Sequence, residues 1–131
     1  MNTLLIDDDS ISVFLTEKLL RQEGFANPIL SFHSSQEALG HLLQLAPDEL
    51  PAVIFLDLNM PIMSGWDFLE ALRPHEQLLL GRCRIYILTS SLAPYDTARS
   101  KEFKLVVGLI HKPLDSMEIQ NIRLQVVENN R

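Results

Sequence analysis

The chain has 131 residues, of which 47% are hydrophobic and 21% charged, enough for one domain with a real core and too apolar for a disordered tail. Its formal net charge of −6, from 11 basic and 17 acidic side chains, disfavours free nucleic acid and anionic membrane as partners. Cys83 is the lone cysteine, so no intrachain disulfide can form, and His33, His41, His75 and His111 are scattered without zinc-ligand spacing.

Short apolar runs alternate with longer amphipathic ones. Asn2–Ile6 reads as a buried strand, and Ser10 caps a helix through Val13, Phe14, Leu19 and Leu20 that Gly24 stops. Pro28–Phe32 is a second strand. Ser34 and Glu37 form a capping-box pattern before Ala38, Leu39, Leu42 and Leu43. Pro47 and Pro51 bracket a turn, and Ala52–Leu56 returns to the sheet. A helix over Gly65–Leu72 breaks near Pro74, and Glu76–Leu80 reads as either a further helical turn or an extension of that helix. Arg84–Leu88 is the next strand. Pro94 opens a helix that continues near Phe103. Val106–Ile110 is the last strand, and Asp115 with Glu118 caps a final helix through Ile119, Ile122, Leu124 and Val126. The pattern is βαβαβαβαβα over residues 1–131, one domain with helices on both faces of a parallel sheet.

Polar residues follow four of the strands. Asp7, Asp8 and Asp9 follow the first, Asp57 the third, Thr89 the fourth, and Lys112 with Pro113 the last. Ligands in open doubly wound sheets bind beyond the carboxyl ends of the strands. Carboxylates gathered there repel one another unless a cation neutralises them, and a hard, oxygen-seeking ion such as magnesium suits them. Asp9 is read as a solvated acid before the Ser10 cap. A Gly-rich turn is missing after the first strand, and three aspartates there would repel a dinucleotide pyrophosphate.

Four segments in this order resemble the receiver domains of two-component response regulators, of the single-domain CheY-like kind. They are Leu4-Leu5-Ile6-Asp7-Asp8-Asp9, then Phe55 to Gly65 through Asp57-Leu58-Asn59-Met60-Pro61, then Leu88-Thr89-Ser90, then His111-Lys112-Pro113. The resemblance implies a doubly wound (βα)5 three-layer sandwich with flavodoxin-like strand order 2-1-3-4-5. It implies that Asp57 accepts a phosphoryl group from a sensor histidine kinase or histidine phosphotransfer protein. Asp8 would ligand Mg2+ directly, with Mn2+ able to substitute. Asp7 would act through water or position the ion, Asp57 would also touch it, and Asn59 would offer its backbone carbonyl. Thr89 would hydrogen-bond the phosphoryl oxygen. Lys112 would pair with Asp57 before modification and with the phosphoryl group afterwards, and the Lys112–Pro113 bond would be cis.

Other expectations follow. Mg2+-dependent self-phosphorylation from small donors and autodephosphorylation are implied. The chain reads as a cytoplasmic single-domain receiver, monomeric or weakly dimeric, without signal peptide, membrane span or output domain, and its downstream target is unknown. Pro61 and Gly65 shape the loop beside Asp57, and Trp66 packs or meets a partner. Leu109 stands three residues before the lysine, where many receivers carry Tyr or Phe, which puts the usual aromatic rotamer switch in doubt. Two rival readings are a phosphorylation-independent interaction module and an aspartyl-phosphate phosphohydrolase. Asn59 argues against the hydrolase, which usually needs a second aspartate there.

Overall fold

The computed structural model describes residues 2–25 and 28–129; of the 1–131 span expected to form one domain, residues 1, 26, 27, 130 and 131 lie outside the described residues. The strands are β1 (Thr3–Ile6), β2 (Ile29–Phe32), β3 (Val53–Asp57), β4 (Arg84–Thr89) and β5 (Val106–His111). They form a parallel sheet in the order β2-β1-β3-β4-β5, as expected. The helices are α1 (Ser10–Gln22), α2 (Ser35–Leu43), α3 (Gly65–Leu72), α4 (Glu76–Leu79), α5 (Pro94–Ser100) and α6 (Ser116–Asn129).

Strand side chains alternate between two cores, because successive residues of a strand point to opposite faces. Leu4, Ile6, Ile54, Leu56, Ile85 and Ile87 face one side and meet Ala38, Leu42, Phe68, Leu69 and Leu72 of α2 and α3. Leu5, Val53, Phe55, Tyr86 and Leu88 face the other and meet Val13 and Leu20 of α1 and Ile119, Ile122 and Val126 of α6. Each such burial contributes roughly 1.5–3 kcal/mol. Both faces of the central strands are therefore covered, and side chains at the carboxyl ends of the strands are left for a polar site.

Local boundaries depart from the sequence reading in two places. The N-cap of α1 is Asp9, not Ser10: its carboxylate accepts from the Ile11 and Ser12 amides at 3.0 and 3.4 Å. A carboxylate there satisfies orphan donors and complements the helix dipole. Helix α5 ends at Ser100 rather than near Phe103; the chain turns there, with the Phe103 amide bonding to the Ser100 carbonyl, and Phe103 plunges into the core. As expected, α3 breaks near Pro74: a 3-10 turn at Arg73–His75 is followed by the single-turn α4, a separate turn and not an extension of α3, before Gly81 at φ 82° leads towards β4.

Candidate functional site

The sheet register brings the sequence-distant acids side by side. Ile6 pairs with Leu56 across β1 and β3, so Asp7 and Asp57 come next on adjacent strands. Asp57 pairs with Leu88 across β3 and β4, and Thr89 pairs with His111 across β4 and β5. The Lys112 amide then donates to the Thr89 carbonyl at 2.8 Å, and the Lys112–Pro113 bond is cis. Thus Asp7, Asp57, Thr89 and Lys112 rim one edge.

The acids differ in burial. Asp7 and Asp57 are 1% and 6% exposed, whereas Asp8 is exposed. Each of the three offers a carboxylate oxygen within 4.8 Å of the others. Ligand oxygens on opposite sides of a magnesium ion are about 4 Å apart, so small side-chain adjustments would suit this all-oxygen, hard donor set to such an ion. Asn59 is exposed, and its amide reaches Asp57 Oδ1 at 3.5 Å.

Asp7 is well supplied with donors. The Asp9 amide donates to Oδ1 at 3.0 Å, while the Ser12 hydroxyl and the Lys112 ammonium donate to Oδ2 at 2.8 and 3.0 Å. Burial alone would raise its pKa, but these three donors outweigh it and hold the carboxyl below its ordinary value. Asp57 is poorer in partners. Burial first, and then the charge of Asp7, push its pKa up to about 6, against the opposing pull of Lys112. Near neutral pH an ionised Asp57 is thus electrostatically uncomfortable, and a cation relieves it.

Lys112 differs from expectation in its nearest partner. It lies 3.7 Å from Asp57 Oδ1 but only 3.0 Å from Asp7 Oδ2. The nearer contact makes Lys112 one of the donors that keep Asp7 ionised. Thr89 is fully buried, and its hydroxyl oxygen accepts from the Ser91 amide at 3.0 Å; the Ser91 hydroxyl in turn accepts from the Ala93 amide at 3.2 Å. This short ladder ties the end of β4 to the start of α5. Ser12 and Ser91 were missed from sequence. Ser12's signal was a polar residue in the first turn of a helix that starts at the acidic run.

The loop after Asp57 is tightly constrained. The Gly65 amide bonds to the Leu58 carbonyl at 3.0 Å, and a Cβ on Gly65 would lie 2.7 Å from the Asp57 carbonyl oxygen. Only glycine allows that approach. Ile62 sits at φ 68° and is 89% exposed. Beside the site a groove of about 680 Å³ runs from Asp9, Ser12 and Lys112 along α1 to Gln22. The α1 surface carries exposed Ile11, Phe14 and Leu15.

Leu109 is half-buried and packs on the α2–α3 side of the sheet, beside a cavity of about 280 Å³ between α5 and β5. Tyr86 is in the opposite core, stacked on Phe55, with its hydroxyl donating to Gln125 Oε1 at 2.7 Å. It therefore does not stand in for the aromatic absent at Leu109. Trp66 packs, as expected: its ring stacks on Phe103, with the Arg99 guanidinium 4.7 Å over its centre.

A doubly wound parallel sheet with carboxylates, a buried threonine and a lysine gathered beyond the carboxyl ends of its strands is an α/β domain of the flavodoxin-like class, with its polar site where such sheets bind ligands. The chain belongs to the response regulator receiver domain family, whose model matches residues 3–123. A two component response regulator from Cytophaga hutchinsonii is 31% identical and superposes with a TM-score of 0.89 over 97% of this chain and 96% of that one. A response regulator receiver protein from Dyadobacter fermentans is 26% identical, with a TM-score of 0.84 over 97% and 98%. Among curated relatives, hybrid signal transduction histidine kinase C of Dictyostelium discoideum is 33% identical over 95 residues, 70% of this chain and 7% of the kinase. Transcriptional regulatory protein CpxR of Escherichia coli is 32% identical over 123 residues, 88% of this chain and 44% of that protein. The chain thus spans less than half the length of these curated relatives. No helix among the described residues is long and apolar enough to cross a membrane.

Proposed function

We propose that this receiver domain is a phosphoacceptor switch in which Asp57 takes a phosphoryl group from the phosphohistidine of a sensor histidine kinase or phosphotransfer protein. A carboxylate oxygen of Asp57 forms the new P–O bond as the P–N bond to the donor imidazole breaks, and the imidazole takes up a proton from solvent. Asp7, Asp8, Asp57 and the Asn59 carbonyl would hold Mg2+, or Mn2+ in its place. The ion, when bound, offsets the repulsion between the attacking carboxylate and the phosphoryl oxygens.

Lys112 supplies a mobile positive charge to those oxygens, and Thr89, whose oxygen accepts from the Ser91 amide, has its own hydroxyl proton to donate to them. Movement of Thr89 breaks the ladder to Ala93 and so alters the setting of α5, which is how modification would be read by a target. The exposed apolar residues of α1 beside the groove offer a protein donor a seat. The observation that carries the reading is the meeting of three carboxylates within 4.8 Å with an ammonium 3.7 Å from Asp57.

The test is mass spectrometry after incubation with acetyl phosphate, with and without Mg2+. One labile phosphoryl group on Asp57, gained only with the ion and lost in Asp57→Asn, is expected. Equal labelling of Asp57→Asn would sink the assignment. Steady turnover of the donor without an acyl phosphate would favour a phosphohydrolase, and no labelling at all an interaction module.

A further inference from the structure

Ser12 is the third residue of α1 and is half-buried. Its hydroxyl donates to Asp7 Oδ2 at 2.8 Å, the same oxygen that accepts from Lys112 Nζ at 3.0 Å. Nζ also donates to Ser12 Oγ at 3.4 Å, which closes a triangle on the β1 side of the pocket. A hydroxyl has one proton and two acceptor lone pairs, so Ser12 can serve both partners at once. Lys112 meets Asp57 at the longer 3.7 Å, so at rest the ammonium leans towards Asp7.

We propose that Ser12 is a positioning residue that acts through Lys112: by taking up part of the Asp7 charge, its hydroxyl loosens the hold of Asp7 on the ammonium and leaves Lys112 able to reach a phosphoryl group on Asp57. The inference rests on Asp57 being the acceptor. Asp7 is buried and must have its charge met by donors. Without Ser12, Lys112 is its one remaining side-chain donor among the described residues. A buried carboxylate short of a donor grips its remaining cation harder, because separating the pair then leaves more charge unmet. The lost 3.4 Å contact from Nζ to Ser12 is longer and ends on a neutral oxygen, so it does not offset that gain. Alanine is a good helix former, which leaves α1 intact in the obvious variant.

The test is binding of beryllium fluoride, a phosphoryl mimic, in the presence of Mg2+, followed by fluorine NMR. Wild type, Ser12→Ala, Ser12→Thr, Lys112→Ala and the Ser12→Ala/Lys112→Ala double variant are compared. Ser12→Ala should weaken binding about tenfold, the worth of one hydrogen bond to a charged group. Ser12→Thr keeps the hydroxyl and should bind within about twofold of wild type, and in the Lys112→Ala background the Ser12→Ala step should shrink to less than about twofold. If Ser12→Ala fails to fold, Ser12→Val against Ser12→Thr gives the same comparison at constant shape. Unchanged affinity in Ser12→Ala, or a tenfold loss that persists without Lys112, overturns the proposal. Absence of Mg2+-dependent binding by the wild type overturns the phosphoacceptor reading instead.

Discussion

Asp57→Asn should make the metal-free protein more stable, and by an amount that depends on pH. The Asp57 pKa rises from 3.8 in a solvated chain to about 6 in the fold, first through burial and then through the charge of Asp7. A raised carboxyl pKa means that the fold disfavours the ionised form. The penalty is nearly absent below pH 4, grows as pH rises through the interval between the two values, and is complete above pH 7. At roughly 1.4 kcal/mol per pKa unit the full penalty is about 3 kcal/mol, and about half of it remains at pH 5. The side chain is 9% exposed, so solvent screening takes little from this figure. Asparagine keeps the shape and carries no charge, so it escapes the penalty at every pH. For a domain of this size each kcal/mol is worth about 3–5 °C, which predicts a Tm gain of about 10 °C at pH 7.5. The assay is thermal unfolding followed by circular dichroism in EDTA from pH 5 to 8. Saturating Mg2+ should stabilise the wild type and narrow the gap. An Asn variant no more stable than wild type at pH 7.5, or a gain that does not shrink towards pH 5, would refute the electrostatic account of the site.

Gly65→Ala should lower stability by about 1–3 kcal/mol and slow labelling of Asp57 by acetyl phosphate, since its Cβ would press on the Asp57 carbonyl and Leu58 Cα; urea unfolding and a labelling time course measure both, and wild-type values for each would contradict the predicted clash. Asp9→Ala should cost about 1 kcal/mol through loss of the α1 cap, against no measurable loss for Ser10→Ala, with the two compared by urea midpoints. Cys83 is 4% exposed, and burial pushes its thiol up to about 12, so it should react with a thiol reagent at pH 8 only as fast as the protein unfolds. Fast modification of the native protein would show that the core around it opens.

Much of the site was legible because topology does the assembling. Asp7, Asp57, Thr89 and Lys112 each stand at the end of an apolar run, and parallel strands point those ends to one edge. Strand order then makes Asp7 and Asp57 neighbours. What stayed hidden was set by distance and burial. Lys112 lies 3.0 Å from Asp7 against 3.7 Å from Asp57, and Ser12 shares the same Asp7 oxygen; both depend on how the chain enters α1, which spacing alone does not give. The cap was assigned one residue late because Asp9 and Ser10 are both good caps and only the backbone entry into α1 chooses between them. Phe103 falls at helical spacing in the sequence, yet the pull of the core beside Trp66 ends α5 before it.

Helix α5 buries a single residue, Ser100, and no apolar stripe of its own anchors it to the sheet. Its lateral grip includes one guanidinium lying over the ring of Trp66, which is the chain's one tryptophan. Any sideways slip of α5 must lift that cation off the indole and change the polarity that the ring senses. The protein therefore carries its own optical gauge of the helix nearest the Thr89 ladder, readable as a shift in emission without an added label.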